Sequence, residues 1–286
     1  MENKLPGTVS IHFDGNEIFA HPYHCWPPRG ENLVSMVHKA FSWISPKSKH
    51  IMKPFHAVFD INDWGDGKFS IASDKYNEKA IPCFSFVHWK QGNIDDYTKV
   101  CEKISKHGKT SYKFNKVFWI GFLSHPTRKL FMQKFINHPK VQASECNIMW
   151  GHMHKDNPVH DRPEIMKTNY VSLPDHCEYK YLLDMQGGGY SARTKFLMHS
   201  RRPIFYQSRR LHEYWYWSLQ PFVHYIPVKE DFSDFEQKLE WAELHPFECE
   251  KIAENAYEFA KNNLKREDAI TRMKHILYKL GTGEFK

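Results

Sequence analysis

The sequence predicts an α/β protein, because short apolar strands alternate with helical segments along much of the 286-residue chain. A continuous apolar run at 117–120, of the kind buried in parallel sheets, ends at Gly121 and precedes a helix predicted from Thr127. A second apolar run, at 181–185, leads into three glycines and a helix predicted over 191–200. Two strand–turn–helix units of this kind indicate a mostly parallel sheet covered by helices.

The remaining elements extend the same pattern. An amphipathic helix is predicted over 31–44, and the Lys-rich residues 90–115 are interpreted as a connecting region. Four further strands are predicted, at 57–61, 81–87, 203–206 and 223–228. The C-terminal part is predicted to be helical, from two apolar stripes of helical period and from the capping-box spacing of Ser233 and Glu236.

Charge and composition narrow the class of ligand. The net charge of +7 suits a polyanion such as a nucleotide diphosphate. The sequence has neither a run of five basic residues nor a nucleic-acid-binding motif, so no nucleic-acid partner is expected. It also lacks an apolar stretch long enough for a membrane span. Six scattered cysteines without a CxxC pair favour reduced thiols. Together with a polar N-terminus, they favour a cytoplasmic location.

The segment from Tyr181 to Arg193 is the most informative for chemistry. Glycines let a backbone approach a phosphate closely, and a helix N-terminus offers free N–H groups to it. Ser191 would then cap the helix or bind phosphate, and Arg193 and Lys195 would add positive charge. The alternative is a glycine-rich turn needed only for backbone geometry. The residues alone leave both interpretations open.

An acidic loop follows the strand at 57–61. Asp60, Asp63 and Asp66 suit a general base, a metal-binding loop or a simple turn, and spacing alone favours the turn. A metal site at His152 and His154, with His160 nearby, is not expected because further ligands are lacking. The neighbours His176 and Cys177 are interpreted as a buried structural pair.

Five segments together resemble the CAP10/Rumi-like glycosyltransferases, family 90. The longest is 175–195, DHCEYKYLLDMQGGGYSARTK, and the resemblance continues through LQPFVHYIPV at 219–228. Upstream, DINDW at 60–64 is similar to the family's Asn-x-Arg-Asp-Trp/Tyr segment, and IPCFSF at 81–86 to its Ile-Pro-Val-Phe-Ser-Phe. CWPPR at 25–29 resembles an acceptor-side loop. The resemblance covers roughly residues 20 to 265.

The resemblance implies a GT-B fold, in which two Rossmann-like domains hold the active site in the cleft between them. It places an acceptor-side domain at 1–113 and a UDP-sugar donor domain at 114–264. A C-terminal helix at 265–286 would pack back on the N-terminal domain.

The resemblance also implies roles for particular residues. Asp63 corresponds to the catalytic base, and Trp26, Arg29 and Trp64 would lie on the acceptor side. The donor would be bound by eight residues: Arg128, Gly188, Gly189, Tyr190, Ser191, Ala192, Arg193 and Glu213. The expected reaction is inverting transfer without a metal or other cofactor, since arginines would meet the charge of the leaving UDP.

A compact member of this kind resembles the enzymes of large chlorella-type viruses that build capsid glycans. The expected location is the cytoplasm, which is the host's if the protein is viral. The expected donor is UDP-xylose, with UDP-glucose next, and the acceptor is a hydroxyl of a glycan or glycoprotein. A β-xylosyltransferase is therefore the favoured expectation. The alternative is a non-catalytic module that binds nucleotide sugars or glycans.

Overall fold

The computed structural model describes residues 7–25, 27–65, 67–89, 92–123, 125–146 and 170–285. The chain forms two compact units. The first unit comprises Met1–Trp89, Arg210–Trp217 and Leu264–Lys286, and the second comprises Lys90–Arg209 and Ser218–Asn263. The division falls at Trp89 rather than after residue 113, and it assigns 210–217 to the first unit.

The strands are β1 (Thr8–Phe13), β2 (Ile18–Tyr23), β3 (Phe55–Asp60), β4 (Phe69–Ser70), β5 (Ala72–Ser73), β6 (Phe114–Gly121), β7 (Val141–Glu145), β8 (Tyr179–Asp184), β9 (Ile204–Gln207), β10 (His212–Glu213) and β11 (Ile226–Val228). The helices are α1 (Pro27–Ser42), α2 (Pro46–His50), α3 (Tyr97–His107), α4 (Pro126–Phe135), α5 (Thr194–Leu197), α6 (Phe235–Leu244), α7 (Pro246–Asn263) and α8 (Arg266–Thr282). Short 3₁₀ turns occupy Phe84–Phe86, Pro174–Glu178, Met198–Ser200 and Tyr214–Ser218.

The first unit is built on a mixed sheet in the order β2-β1-β3-β4. Strand β1 is antiparallel to β2 and β3, whereas β3 and β4 are parallel. Val9, Ile11 and Phe13 alternate along β1 and are fully buried, as expected for a half-covered sheet. Helices α1 and α8 pack against each other, and β5 pairs with β10 in a separate two-stranded sheet.

Two arginines of α8 fix that helix within the first unit. Arg272 donates to the carbonyl oxygens of Ala80, Asn77 and Glu78, and Arg266 donates to those of Phe86 and Val87. A guanidinium satisfies several carbonyls at once, so it can hold irregular backbone in place without a β-ladder.

The second unit contains a five-stranded parallel sheet in the order β7-β6-β8-β9-β11. Its core includes Val117, Trp119, Leu183, Phe205 and Ile226, all at most 1% exposed. The short apolar runs are the signature of strands covered on both faces. The α/β class is thus confirmed, in two α/β units. Among the described residues, no helix is both long and apolar enough to cross a bilayer.

Three predicted elements were wrong. Residues 81–87 form no strand; Pro82 lacks a ladder donor, and a 3₁₀ turn closes by a hydrogen bond from Phe86 N to Cys83 O. The predicted connecting region contains α3, which begins at the N-cap Asp96 and buries Tyr97, Cys101 and Ile104.

The third is the helix predicted over 191–200. Helix α5 covers only Thr194–Leu197 and continues as a 3₁₀ turn, because Ser191 and Thr194 bind a buried carboxylate with their hydroxyls. The predicted capping box also fails, since the N-cap of α6 is Asp234 rather than Ser233.

Candidate functional site

The strand order of the second unit defines a topological switch point. Strand β6 lies between β7, which follows it in the chain, and β8, which comes after β7. In open parallel sheets of this type, ligands bind outside the carboxyl ends of the strands where the order reverses. Here those ends are Gly121 of β6 and Asp184 of β8.

A tight turn follows β8 at this point. Gly187 N donates to Tyr190 O at 2.8 Å, and a Cβ at Gly187 would lie 3.0 Å from that oxygen. Gly188 is half-buried, and Gly189 and Tyr190 are buried. Ala192 is half-buried, and its carbonyl accepts a hydrogen bond from Lys195 Nζ at 3.0 Å.

The structure does not place a long helix N-terminus behind this turn, as the sequence interpretation assumed, because α5 has four residues. Lys195 is fully buried and its ammonium turns back onto Ala192. Positive charge at the switch point therefore comes from other groups.

Two of the predicted donor-binding residues, Arg128 and Arg193, bind backbone carbonyls at the end of β6. Arg128 bridges the two strand ends: its Nε donates to Gln186 O at 2.7 Å and its Nη1 to Phe122 O at 2.8 Å. Arg193 Nη1 donates to Ile120 O at 2.5 Å. The two guanidiniums thus bind carbonyls on either side of Gly121, where a Cβ would lie 3.4 Å from Arg193 Nη2.

The electrostatic state of Arg193 distinguishes it from a surface arginine. Burial lowers its pKa, although the carboxylate of Asp184 acts in the opposite direction. Within the described ranges Arg193 forms no salt bridge, and its guanidinium donates to a single carbonyl. A half-buried cation of this kind favours a bound anion.

Ser191 also lies in the turn, but its hydroxyl points inward. Ser191 Oγ donates to Asp184 Oδ1 at 2.7 Å and accepts a weak bond from Arg193 N at 3.4 Å. The O–H is therefore committed to the carboxylate. Sequence reasoning missed this carboxylate, although a lone acid ending an apolar strand is an available signal.

In the first unit, two carboxylates of the acidic loop after β3 lie in different environments. Asp60 accepts from the backbone N–H groups of Asn62 and Gly67 at 2.8 and 3.0 Å, which makes it the residue that shapes the turn. Asp63 instead projects from the loop, with a side chain 31% exposed. Its Oδ1 accepts from Arg29 Nη1 at 2.9 Å.

The same unit holds two more predicted site residues. Trp64 follows Asp63 and is 58% exposed. Glu213, expected in the donor domain, lies in the first unit on β10, where it pairs with Ala72 and accepts from Trp215 Nε1 at 3.2 Å. A Cβ on Gly65, whose φ is +69°, would meet Ala72 O at 2.6 Å, so the Asp63 loop packs against the strand that pairs with Glu213.

Several predicted groups lie outside the described residues: Trp26, Asp66, His152, His154 and His160. His176 and Cys177 are buried, as interpreted. Burial lowers the pKa of His176 to about 3 and raises that of Cys177 to about 12, so both are neutral and neither suits nucleophilic catalysis. No group of three or more metal-binding side chains occurs in the part of the chain that the structure describes.

Fold and site together define an α/β protein with two arginines at the switch point of a parallel sheet. The profile described as Glycosyl transferase family 90 matches residues 69–282, most of the chain. The chain belongs to glycosyl transferase family 90.

Individual relatives agree with this assignment. The chain is 36% identical to protein O-glucosyltransferase 1 of Bos taurus over 107 residues, 37% of this chain and 27% of that protein. It is 33% identical to O-glucosyltransferase rumi of Drosophila melanogaster over 223 residues, 72% of this chain and 53% of that protein. The matches therefore span about half or less of these relatives.

A weak likeness to one solved structure adds little to this assignment. Anabaena Alr3699/HepE in complex with UDP-glucose has a TM-score of 0.39 and 12% identity, over 63% of this chain and 53% of that one. This likeness is too low to support an inference about ligands.

Proposed function

We propose that this protein is an inverting glycosyltransferase that moves a sugar from a UDP-sugar to a hydroxyl of a glycan or glycoprotein. The observation that carries the proposal is the pair of guanidiniums, Arg128 and Arg193, at the carboxyl ends of β6 and β8. Membership of glycosyl transferase family 90 supports the reaction class.

On the donor side, the diphosphate lies against the turn from Gly187 to Tyr190, where glycines let it approach the backbone. Arg193 and Arg128 meet the negative charge that grows on UDP as the bond from the anomeric carbon to the phosphate oxygen breaks. Because hydrogen bonds to backbone carbonyls already fix the positions of both guanidiniums, little reorganisation is needed in the transition state. We therefore propose transfer without a metal ion.

On the acceptor side, Asp63 is the general base. It takes the proton of the acceptor hydroxyl as that oxygen attacks the anomeric carbon, which inverts the configuration there. Arg29 holds Oδ1 at 2.9 Å, which orients the carboxylate and directs the other oxygen, Oδ2, to the acceptor. Trp64, exposed beside Asp63, offers a ring face for an acceptor sugar.

The donor sugar is xylose or glucose. The sequence resemblance favours xylose, whereas the names of the bovine and fly relatives favour glucose. The two donors differ only by a hydroxymethyl group, and a pocket separates groups of that size by about 1–3 kcal/mol. Direct competition between the two donors decides this point.

The test is UDP release by the purified protein with UDP-xylose and with UDP-glucose, first without an acceptor. Slow hydrolysis of one donor is expected and identifies that donor. Asp63→Asn should lower transfer to an added acceptor by about 10²–10⁴-fold with UDP affinity nearly unchanged. Asp14→Asn is the control, since Asp14 is a turn carboxylate of the same unit that accepts two backbone N–H groups and has no proposed role in transfer.

Unchanged transfer by Asp63→Asn contradicts the base assignment. Binding of UDP by the wild-type protein without any turnover, with either donor and with glycan acceptors, favours the non-catalytic binding module. Absence of both UDP binding and turnover contradicts the donor site itself.

A further inference from the structure

A buried acidic residue links residues 186–194, here called the donor turn, to the sheet. Asp184, the last residue of β8, has a side chain 1% exposed and accepts three side-chain hydrogen bonds. They come from Ser191 Oγ at 2.7 Å, Thr194 Oγ1 at 2.6 Å and Arg209 Nη2 at 2.5 Å. One carboxylate therefore holds both ends of the segment 191–194.

The cation of this pair is equally enclosed. The Arg209 side chain is 1% exposed, its Nε donates to Gln207 O at 3.1 Å, and its guanidinium lies 4.0 Å from the centre of the Tyr206 ring. Gln207 in turn accepts from Gln186 N at 3.1 Å with its side-chain oxygen. Gln207, the last residue of β9, thus holds the start of the donor turn at Gln186, while Asp184 holds its end.

Two explanations exist for such a buried pair. It can serve stability alone, but replacing buried ion pairs by apolar residues is often neutral or stabilising, so stability is a weak reason for it. It can instead fix a conformation. The partners favour the second, because two of the three groups bound to Asp184 belong to the turn that carries Arg193.

We propose that Asp184 and Arg209 are positioning residues for donor binding, an inference that rests on the proposed function. The connection is direct: Arg209 holds Asp184, Asp184 orients Ser191, and Ser191 Oγ accepts from the backbone of Arg193. Neither positioning residue touches the donor. Ser191 then contributes by shaping the turn, since its hydroxyl hydrogen is directed to Asp184.

The experiment compares Asp184→Asn and Ser191→Ala with the wild-type protein. Ser191→Ala breaks the connection without leaving a buried charge unpaired. The double variant Asp184→Asn/Arg209→Gln, which removes both charges together, is used if Asp184→Asn does not fold. Tyr181→Phe is the matched control, because it removes a buried hydrogen bond, to Ala242 O, from the same strand away from the turn.

Two measurements are made on each variant: UDP affinity by calorimetry, and amide hydrogen exchange over residues 186–194. We expect UDP affinity to fall by about 10-fold or more because the turn is no longer preorganised. Exchange should quicken over 186–194 more than in β6 and β8. The KM for the donor should rise more than kcat falls, and the acceptor KM should stay unchanged.

Unchanged UDP affinity in Asp184→Asn or its double variant overturns the proposal. An equal loss in Tyr181→Phe also overturns it, since the effect is then general destabilisation. If the wild-type protein does not bind UDP, the proposed function fails, and the positioning role in donor binding fails with it. The exchange data, which need no ligand, still decide in that case whether Asp184 holds the turn.

Discussion

Arg193→Met separates binding from stability at the switch point. The change removes the cation and keeps an unbranched side chain of similar reach. A charge-assisted hydrogen bond contributes about 1.5–3 kcal/mol, so losing one to the diphosphate should weaken UDP binding by about 10- to 150-fold. The free energy of unfolding of the donor-free protein should change far less than the free energy of UDP binding.

The small effect on stability follows from two opposing contributions. Loss of the bond to Ile120 O costs about 1 kcal/mol, whereas removal of a cation whose pKa burial lowers relieves a desolvation penalty. The net change should lie within about 1 kcal/mol, which shifts Tm by at most about 4 °C. At a UDP concentration about 100 times the wild-type Kd, the wild type should gain about 2.7 kcal/mol, and the variant much less.

Thermal unfolding with and without UDP, together with calorimetry, measures both quantities. The matched control is Arg202→Met, since burial also lowers the pKa of Arg202, but its guanidinium binds the carbonyls of Cys177, Gly108 and Thr110. That variant should lose stability and keep its UDP affinity once folded. An Arg193→Met protein that binds UDP as tightly as the wild type refutes the donor-site assignment.

Three further outcomes are expected. Chelation with EDTA should leave transfer unchanged; a complete loss that a divalent metal restores contradicts the metal-free proposal. Gly121→Ala should cost about 1–3 kcal/mol and weaken UDP binding, because its Cβ would lie 2.8 Å from the Trp119 ring and 3.4 Å from Arg193 Nη2. Gly281→Ala, whose Cβ would lie 2.6 Å from the Met52 side chain in the first unit, should lose stability alone. Burial lowers the pKa of His176 to about 3 and that of His199 to about 4, so the folded state disfavours the protonated form of both histidines. The free energy of unfolding should therefore keep its full value above pH 6.5 and fall as the pH drops toward 4, by up to about 1.4 kcal/mol per pH unit for each histidine. Urea titrations at several pH values measure this free energy, and an unchanged dependence on pH in His199→Phe contradicts this cause.

Local sequence was enough for the elements that build the donor side. Apolar runs ending at Gly121 and near Asp184 predicted two buried strands, and the glycines after the second predicted a turn. Arg193 could be named from its position just after the glycines, whereas Arg128 could be named only through the family resemblance. Spacing alone does not show that two arginines far apart in the chain bind carbonyls at the end of one strand.

Elements whose local signal was weak were mispredicted. Helix α3 was not recognised because most of its residues are polar or Lys, although Tyr97, Cys101 and Ile104 form a buried stripe along it. The acidic loop shows the same limit of local sequence, because residue type alone does not distinguish Asp60 from Asp63. Their separation into a turn-forming and a projecting carboxylate depends on which backbone N–H groups and which arginine the fold brings near them.

The α/β class and the glycine turn follow from local sequence, since hydrophobic period and glycine act over a few neighbouring residues. The folded chain was needed to establish the strand order that creates the switch point, the unit to which Glu213 belongs, and the Asp184–Arg209 pair. Each of these depends on contacts between residues distant in the chain. Their energies arise from burial and desolvation, which exist only once the chain has folded.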